Sequence, residues 1–567
     1  MPQKPKPVAW SDLPNKPQLF LLALCRLSEP LSNVCLLPYI FYLVKSALPQ
    51  PPDVSLPHTK STVPNTPRDD AAPTPTVDSA RISEYSGLLV AAFPLAQFVV
   101  SLAWGYISDR HGRRTSILLG LFGSIVSNAL FGMSKSLVAL FFWRTLAGLA
   151  NGNVGIMRTM TAEIVKERRF QTKAFLLLPL VFNSGMVLSL ALGGILADPV
   201  VNLSSLFGQD GLFNLGKYEG GVKWAVDYPY ALPALMNAAM LGAAFILSFF
   251  WLEETLPGKE SHTDIGLRTG ALLTRSLRSL AGSLTGSRDH TSYAPVSDEE
   301  SPFPLEESKL PDTPGSEPSS SSPSLYSASS LPPTPAPSPK PAATARLPFR
   351  QIWTRDVLVS MVAFGLLPLH NSAFMHIFPV YLSTPHVDNS HATLLAFAGG
   401  LGLRSSTIGL WLSVFGVGGI LLQLFAYPRM QAAIGTLGVF RISLVLFPLV
   451  YAMAPYLSLL PANGPIRWLG LGTVICGQIM ARTMAIPSTV ILLTESAPAK
   501  NVLGTVHGAG SMVSSLTRAV GPAVGGMVFA WGVHTGIVGA VWWLYLLCVS
   551  VGALLWTFIL QRPSKDE

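Results

Sequence analysis

The sequence predicts an all-α membrane protein of twelve transmembrane helices, arranged as two pseudo-symmetric six-helix bundles. Three observations carry that fold class. Hydrophobic residues fill 49% of the 567 positions and charged residues only 12%, with a mean hydropathy of +0.42, too apolar for a soluble globular chain. Apolar windows of about 20 residues recur, each long enough to cross a hydrocarbon core of roughly 30 Å as a helix. A polar middle segment divides them into six before and six after. The windows lie near 17–43, 84–107, 115–133, 137–164, 174–198, 229–252, 357–383, 405–427, 436–456, 466–493, 502–530 and 535–561.

The domain plan follows. Residues 1–16 form a cytoplasmic leader, 17–256 a first bundle with a Pro-rich extracytoplasmic loop at 44–83, and 351–561 a second bundle with a tail at 562–567. The first window is too long for the apolar core of a signal peptide and lacks a small-residue cleavage site. Residues 257–350 include "SEPSSSSPSLYSASSLPPTPAPSPKP" and cannot bury enough apolar surface to offset their ordering entropy, so disorder is expected there. Within this segment, Leu273, Leu277, Leu280 and Leu284 recur at helical spacing. That stretch reads either as a helix lying on the inner membrane surface or as a solvated linker. Cys25, Cys35, Cys476 and Cys548 all fall inside predicted helices without paired spacing and read as core filling.

Charge sets the orientation. A net charge of +8 would suggest nucleic acid for a soluble chain, but here it reads as Lys and Arg holding loops in the cytoplasm. The connections "SDRHGRR" and "KERRFQTK", the leader and the tail are basic, whereas the loops at 44–83 and 199–228 are mixed or balanced. The positive-inside rule therefore places both termini in the cytoplasm. The sequon "NLS" at Asn202 lands outside, as glycosylation requires, and fits a vacuolar or a plasma membrane.

The halves repeat. "ALGGILA" (191–197) matches "AVGGMVFA" (523–530), and "GLLVAAFPLAQFVVSLAWGY" from Gly87 shares its rhythm with "GLWLSVFGVGGILLQLFAYP" from Gly409. Gly193, Gly194, Gly521, Pro522, Gly525 and Gly526 are therefore expected at close helix contacts. Parallel six-helix repeats are a transporter arrangement, with substrate between the halves near the midplane.

The stretch "GYISDRHGRR" resembles the loop between helices two and three of the major facilitator superfamily, matching at Gly105, Asp109, Arg110, Gly112, Arg113 and Arg114. "RTLAGLANG" (144–152) resembles that superfamily's fourth-helix arginine motif. "ALCRLSEPLSNVCLLPYI", "YPYALPALMNAAM" leading to "LEETLP", and "VLGTVHGAGSMVSSLTRAVGPAVGG" are similar to the fungal and plant zinc-induced-facilitator-like branch, near the drug:proton antiporters. Two features depart from the pattern. Ser189-Leu190 replaces the Gly-Pro expected before the fifth-helix glycines, and "YPRMQAAIG" (427–435), the second-half counterpart of the charged loop, has no Asp.

Alternating access calls for a reversible cytoplasmic gate. Asp109 is expected to cap the eleventh helix, where the macrodipole favours negative charge by roughly 0.3–1 kcal/mol. Arg113 and Arg114 are expected to pair with Glu163, with Arg158 nearby; exposed pairs of about 0.2–1 kcal/mol suit a latch that must open. Ionisable groups inside a membrane are functional by default. Arg26 and Glu29, three apart on one helix face, can pair and tune proton binding, and the resemblance implicates Arg144 in proton coupling. Gln97, Asn183, His370, Asn371 and Arg482 are candidates for lining the substrate cavity, Arg482 for an anionic or proton-coupled solute. Arg518 reads either as snorkelling or as pairing near the inner side.

No phosphate-cradling loop, metalloprotease motif or His/Cys zinc cluster is found, so no enzyme, metal or cofactor is expected. The expected function is secondary active transport of small organic solutes, with protons as partners in antiport, by a monomer in the bilayer that binds no nucleic acid. The alternatives are a facilitator or symporter and a non-transporting nutrient sensor.

Overall fold

The computed structural model describes residues 12–48, 75–165, 167–256, 265–285, 349–387, 393–461, 464–499 and 502–560. The chain divides into one compact unit, Met1–Ala271 with Leu347–Glu567, and a small one, Leu272–Arg346. Both expected bundles lie within the first.

The first half comprises α1 (Lys16–Arg26), α2 (Ser28–Asn33), α3 (Ile40–Ala47), α4 (Pro75–His111), α5 (Arg113–Gly132), α6 (Leu137–Ala150), α7 (Asn153–Ile164) and α8 (Arg168–Leu196). Three short turns of helix follow, α9 (Pro199–Asn202), α10 (Ser204–Phe207) and α11 (Lys223–Asp227), and then α12 (Ala231–Trp251). Helix α13 (Ile265–Thr285) begins the segment between the halves. The second half runs α14 (Phe349–Ile352), α15 (Arg355–Ser383), α16 (Ser405–Leu421), α17 (Tyr427–Met453), α18 (Pro465–Glu495), α19 (Leu503–Thr535), α20 (Val538–Val541) and α21 (Cys548–Trp556). Among the described residues, seven helical segments are individually long and apolar enough to cross a membrane, one of them the continuous run Ser405–Leu459.

That run holds two expected windows. A π-helical turn at Leu422–Ala426 links α16 to α17, and the chain bends at Gly435, whose φ is +76°. The charge-poor counterpart loop (427–435) is therefore helical up to that glycine.

The first and fourth windows are broken rather than continuous, for identifiable reasons. Pro30 and Pro38 remove backbone donors from the first. Its carbonyls at Ser32 and Asn33 are freed, and Leu37 N–H turns instead to Val34 at 3.1 Å. The fourth breaks at Asn151–Gly152 between α6 and α7. A β-carbon at Gly152 would lie 2.0 Å from the Trp104 ring, and Trp104 Nε1 donates to Leu149 O at 2.7 Å.

Two boundaries and one expectation of burial differ from the sequence reading. The loop expected at 44–83 is helical up to Ala47 and again from Pro75. Residues 265–285, inside the segment expected to be disordered, form α13, the helical one of the two readings of this stretch, with leucines at helical spacing. Residues 257–264 and 286–348 of that segment lie outside the described residues. Cys25 and Cys35 are buried, but Cys476 and Cys548 lie on exposed helix faces and fill no core.

The repeat pairs seen in sequence meet each other. Helix α8 packs along α16, and α4 along α19. A β-carbon on Gly194 would sit 2.6 Å from Gly409 Cα, and one on Gly526 would sit 2.9 Å from Gly87 Cα. The two seams between the halves are thus closed by equivalent glycines, both at the end of the molecule away from the charged 105–114 turn.

Candidate functional site: a charged seam between the halves

Glu29, on α2, is the centre of the seam. Its side chain is only 3% exposed and is held from two sides. Arg26 Nη1, at the end of α1, reaches Oε2 at 2.5 Å, and Arg518 Nη1 on α19 reaches Oε1 at 2.6 Å from the other half. Arg518 also donates to Gln97 Oε1 at 3.4 Å and Ser515 Oγ at 3.2 Å. Gln97 in turn donates through Nε2 to the Asn151 carbonyl at 2.9 Å, one freed by the break in the fourth window. Gln97, expected to line a cavity, therefore links that break to the charged cluster.

The seam continues along one face of α8. Arg26 lies over the Phe182 ring, 5.0 Å from its centroid. One turn on, Met186 Sδ accepts from Arg482 Nη1 of α18 at 3.3 Å. Between them Asn183 Nδ2 donates to Gln423 Oε1 at 2.7 Å. Gln423 sits in the π-helical turn, a distortion frequent at functional positions. Toward the charged turn, Arg158 donates to Ser511 at 3.2 Å.

Four expected residues take other places. His370 is fully buried within the second half, with Nδ1 2.8 Å from Tyr451 Oη and its ring edge-on to Phe447. It is a core histidine, because its ring is held between Tyr451 and Phe447 of α17 rather than facing the seam. Asn371 accepts from Gln478 at 3.1 Å, also within the second half. Arg144 is buried against the break in the first window, donating to Ser32 O, to Asn33 O at 3.1 Å and to Asn33 Oδ1 at 2.7 Å. It satisfies carbonyls that the broken helix freed. Asn202 Nδ2 donates to Ala197 O at 2.5 Å and Ser405 Oγ at 3.1 Å, so a glycan there would break a contact between the halves.

The charged turn closes within the first half in this conformation. Arg113 pairs with Asp109, with Glu163 at 3.4 Å and with Ser108 Oγ at 2.9 Å. Asp109 keeps a 66% exposed side chain and does not cap α19, whose N-cap residue Val502 has no side-chain cap bond. Arg114 does not reach Glu163; it donates to Phe249 O at 2.6 Å. The cap goes instead to α5, where Glu254 accepts the backbone N–H groups of Arg113 at 2.8 Å and Arg114 at 3.1 Å. An acid there satisfies orphan donors and meets the positive end of the helix dipole. Gly112 is needed twice over: its φ is +115°, and a β-carbon would lie 2.4 Å from Glu254 Oε2. Arg110 reaches Tyr106 Oη at 3.4 Å, while a β-carbon on Gly105 would meet nothing within 4 Å.

Of the packing residues, Gly193 would press on Cys35 O at 2.1 Å, Gly521 on Leu369 O at 2.4 Å and Gly525 on Ile377 Cδ1 at 2.9 Å. The Pro522 carbonyl lies 2.5 Å from where a Gly87 β-carbon would stand.

Sequence reasoning missed Glu254, Gln423 and Met186, and left Arg518 open. For Arg518 a signal existed: no acid lies within a helical turn of it, and Glu29 is the acid deepest in any apolar window. Among the described residues, no group of three or more His, Cys, Asp or Glu side chains could hold a metal ion.

An all-helical membrane chain with glycine-closed seams between repeated halves is the architecture of a transporter. The Major Facilitator Superfamily model matches residues 74–403, and the chain belongs to that family. It is 31% identical over 559 residues to the major facilitator superfamily multidrug transporter mfsB of Aspergillus fumigatus, covering 98% of this chain and 86% of that one. To the protein ZINC INDUCED FACILITATOR 1 of Arabidopsis thaliana it is 24% identical, over 79% of this chain and 76% of that one. The fold is shared with the human organic anion transporter MFSD10 (TETRAN), at a TM-score of 0.53 and 16% identity over 96% and 99% of the two chains. The protein is a multi-pass integral membrane transporter.

Proposed function

We propose that this transporter is a proton-coupled antiporter of small organic solutes, working by alternating access with Glu29 as the coupling carboxylate. The observation that carries the reading is the double pairing of Glu29, with Arg26 at the end of the preceding helix α1 and Arg518 across the seam. A lone carboxylate in a membrane interior is costly, at least ~2.5 kcal/mol on insertion scales, so its charge persists only while paired. Protonating Glu29 removes the attraction that ties α2 to α19, and parting the halves removes a partner that favours the ionised form. Proton binding and opening of the seam are thereby linked, and each changes the other by the same free energy.

In this reading both termini lie in the cytoplasm, at a plasma or vacuolar membrane, and the transporter is a monomer; the basic turn, leader and tail support the orientation. That the fungal relative is a multidrug transporter supports small organic solutes as cargo.

The test is flux of a pooled compound panel into proteoliposomes under an imposed pH gradient, comparing the wild type with Glu29→Gln. The wild type should drive at least one compound against its gradient, and the variant should exchange it without pH dependence. Undiminished pH-driven flux in the variant would make Glu29 structural and leave a facilitator or symporter that couples elsewhere.

A further inference from the structure

We propose that the transported solute is an organic anion, its acid group bound by Arg482 and its apolar body laid along Phe182 and Met186; this rests on the transport reading above. Arg482 stands near the middle of α18 and faces the first half, where among the described residues its Nη1 meets only a thioether, Met186 Sδ at 3.3 Å. Thioether sulfur is a weak acceptor. The Arg482 Nε is buried with no hydrogen-bond partner, and no carboxylate among the described residues pairs with this side chain.

Most other interior arginines have oxygen acceptors, although Arg158 meets only the Ser511 hydroxyl and the Nε atoms of Arg144 and Arg467 are also without a partner. Arg26 and Arg518 share Glu29, Arg144 binds the Ser32 and Asn33 carbonyls, and Arg467 donates to Leu401 O at 3.0 Å. A guanidinium in a membrane interior that holds only a sulfur lacks the anion its charge calls for.

Charge balance along the seam points the same way. Arg26, Arg158, Arg482 and Arg518 stand against the single carboxylate Glu29, an excess of three positive charges among these described residues. A cationic solute would add to that excess, whereas an anion offsets it. Guanidinium presents a planar fork that matches carboxylate, sulfonate or phosphonate oxygens in pairs.

The surroundings supply the rest of a binding site. Phe182 and Met186 lie one turn apart on α8, so an apolar body can rest on both while its acid group replaces Met186 Sδ at Arg482. Asn183 and Gln423 beside them offer an amide pair that can re-form around a polar substituent.

Three probes on one skeleton test the sign of charge: 1-naphthoate, 1-naphthamide and 1-naphthylmethylammonium. Each is titrated against purified protein with unfolding temperature as readout. Proteoliposome counterflow of naphthalene-1-sulfonate, which cannot leak as a neutral acid, accompanies them. The anion should bind about 10- to 100-fold tighter than the amide, the worth of one hydrogen bond between charged groups. Arg482→Gln should bring the two level, and Arg482→Lys should recover part of the difference.

A preference for the ammonium probe, or an anion preference that survives in monodisperse Arg482→Gln, would overturn the proposal. Should the Gln variant not fold, an unchanged anion-to-amide ratio in Arg482→Lys, which keeps the charge but loses the fork, overturns it equally. If neutral or cationic panel compounds are transported and anions are not, the anion assignment fails while transport stands. If no compound of any charge binds or moves, the transport reading itself fails.

Discussion

Gly194→Ala is the most direct perturbation of the seam. The added methyl would lie 2.6 Å from both Gly409 Cα and Ser405 O, where ordinary contacts begin near 3.4 Å. Both opposing atoms are backbone, so no side chain can rotate away and α8 must withdraw from α16 by about 1 Å. Overpacking of this kind costs typically 1–3 kcal/mol, here charged against the conformation in which this end is closed. At 1.4 kcal/mol per tenfold, the closed population should fall about 5- to 150-fold relative to open states. Asn202 and Ser405 face each other across the same end at 3.1 Å, so a cysteine pair there reports closure by its crosslinking rate. The background first needs Cys25, Cys35, Cys476 and Cys548 replaced, since the last two are exposed. In that background Gly194→Ala should slow crosslinking in proportion to the lost closed fraction, by about fivefold or more where the closed state is the minority and by less where it dominates. Gly242→Ala, whose methyl meets nothing within 4 Å, should leave it unchanged. Crosslinking at the parental rate in Gly194→Ala would refute the argument that these backbones set the seam's closure.

Two further outcomes follow from the first half. Glu254→Ala strips the cap from α5 and should cost about 0.5–2 kcal/mol, with Glu254→Gln losing less because one acceptor oxygen remains; unfolding temperature in detergent reads both. Arg144→Gln leaves the Ser32 and Asn33 carbonyls short of donors at about 1–3 kcal/mol each, so it should destabilise more than Arg144→Lys, and a wild-type unfolding temperature would deny Arg144 that role.

What could be read from the sequence was whatever depends on neighbours along the chain or on composition. The Arg26–Glu29 pair needs only a three-residue spacing, and the membrane-spanning class needs only apolar windows. The glycine repeats were visible as internal likeness, because equivalent helices in two halves meet equivalent partners. Asp109 and His370 mark where such reading stops. Their residue types suit a cap and a cavity, but the rotation of α4 and α15 sends one to solvent and the other into the second-half core.

The sequence by itself determined an all-helical membrane chain in two related halves, with its basic turns on one side and a few costly charges inside. Hydropathy and helical spacing are local properties, and they suffice for that much. Only the tertiary structure decided which charges meet. Glu29 and Arg518 are 489 residues apart, Asn183 and Gln423 240, and Arg113 and Glu254 141. Apolar windows look alike from every side, so the rotation of each helix, and hence the partner of each buried charge, is set by backbone contact between helices.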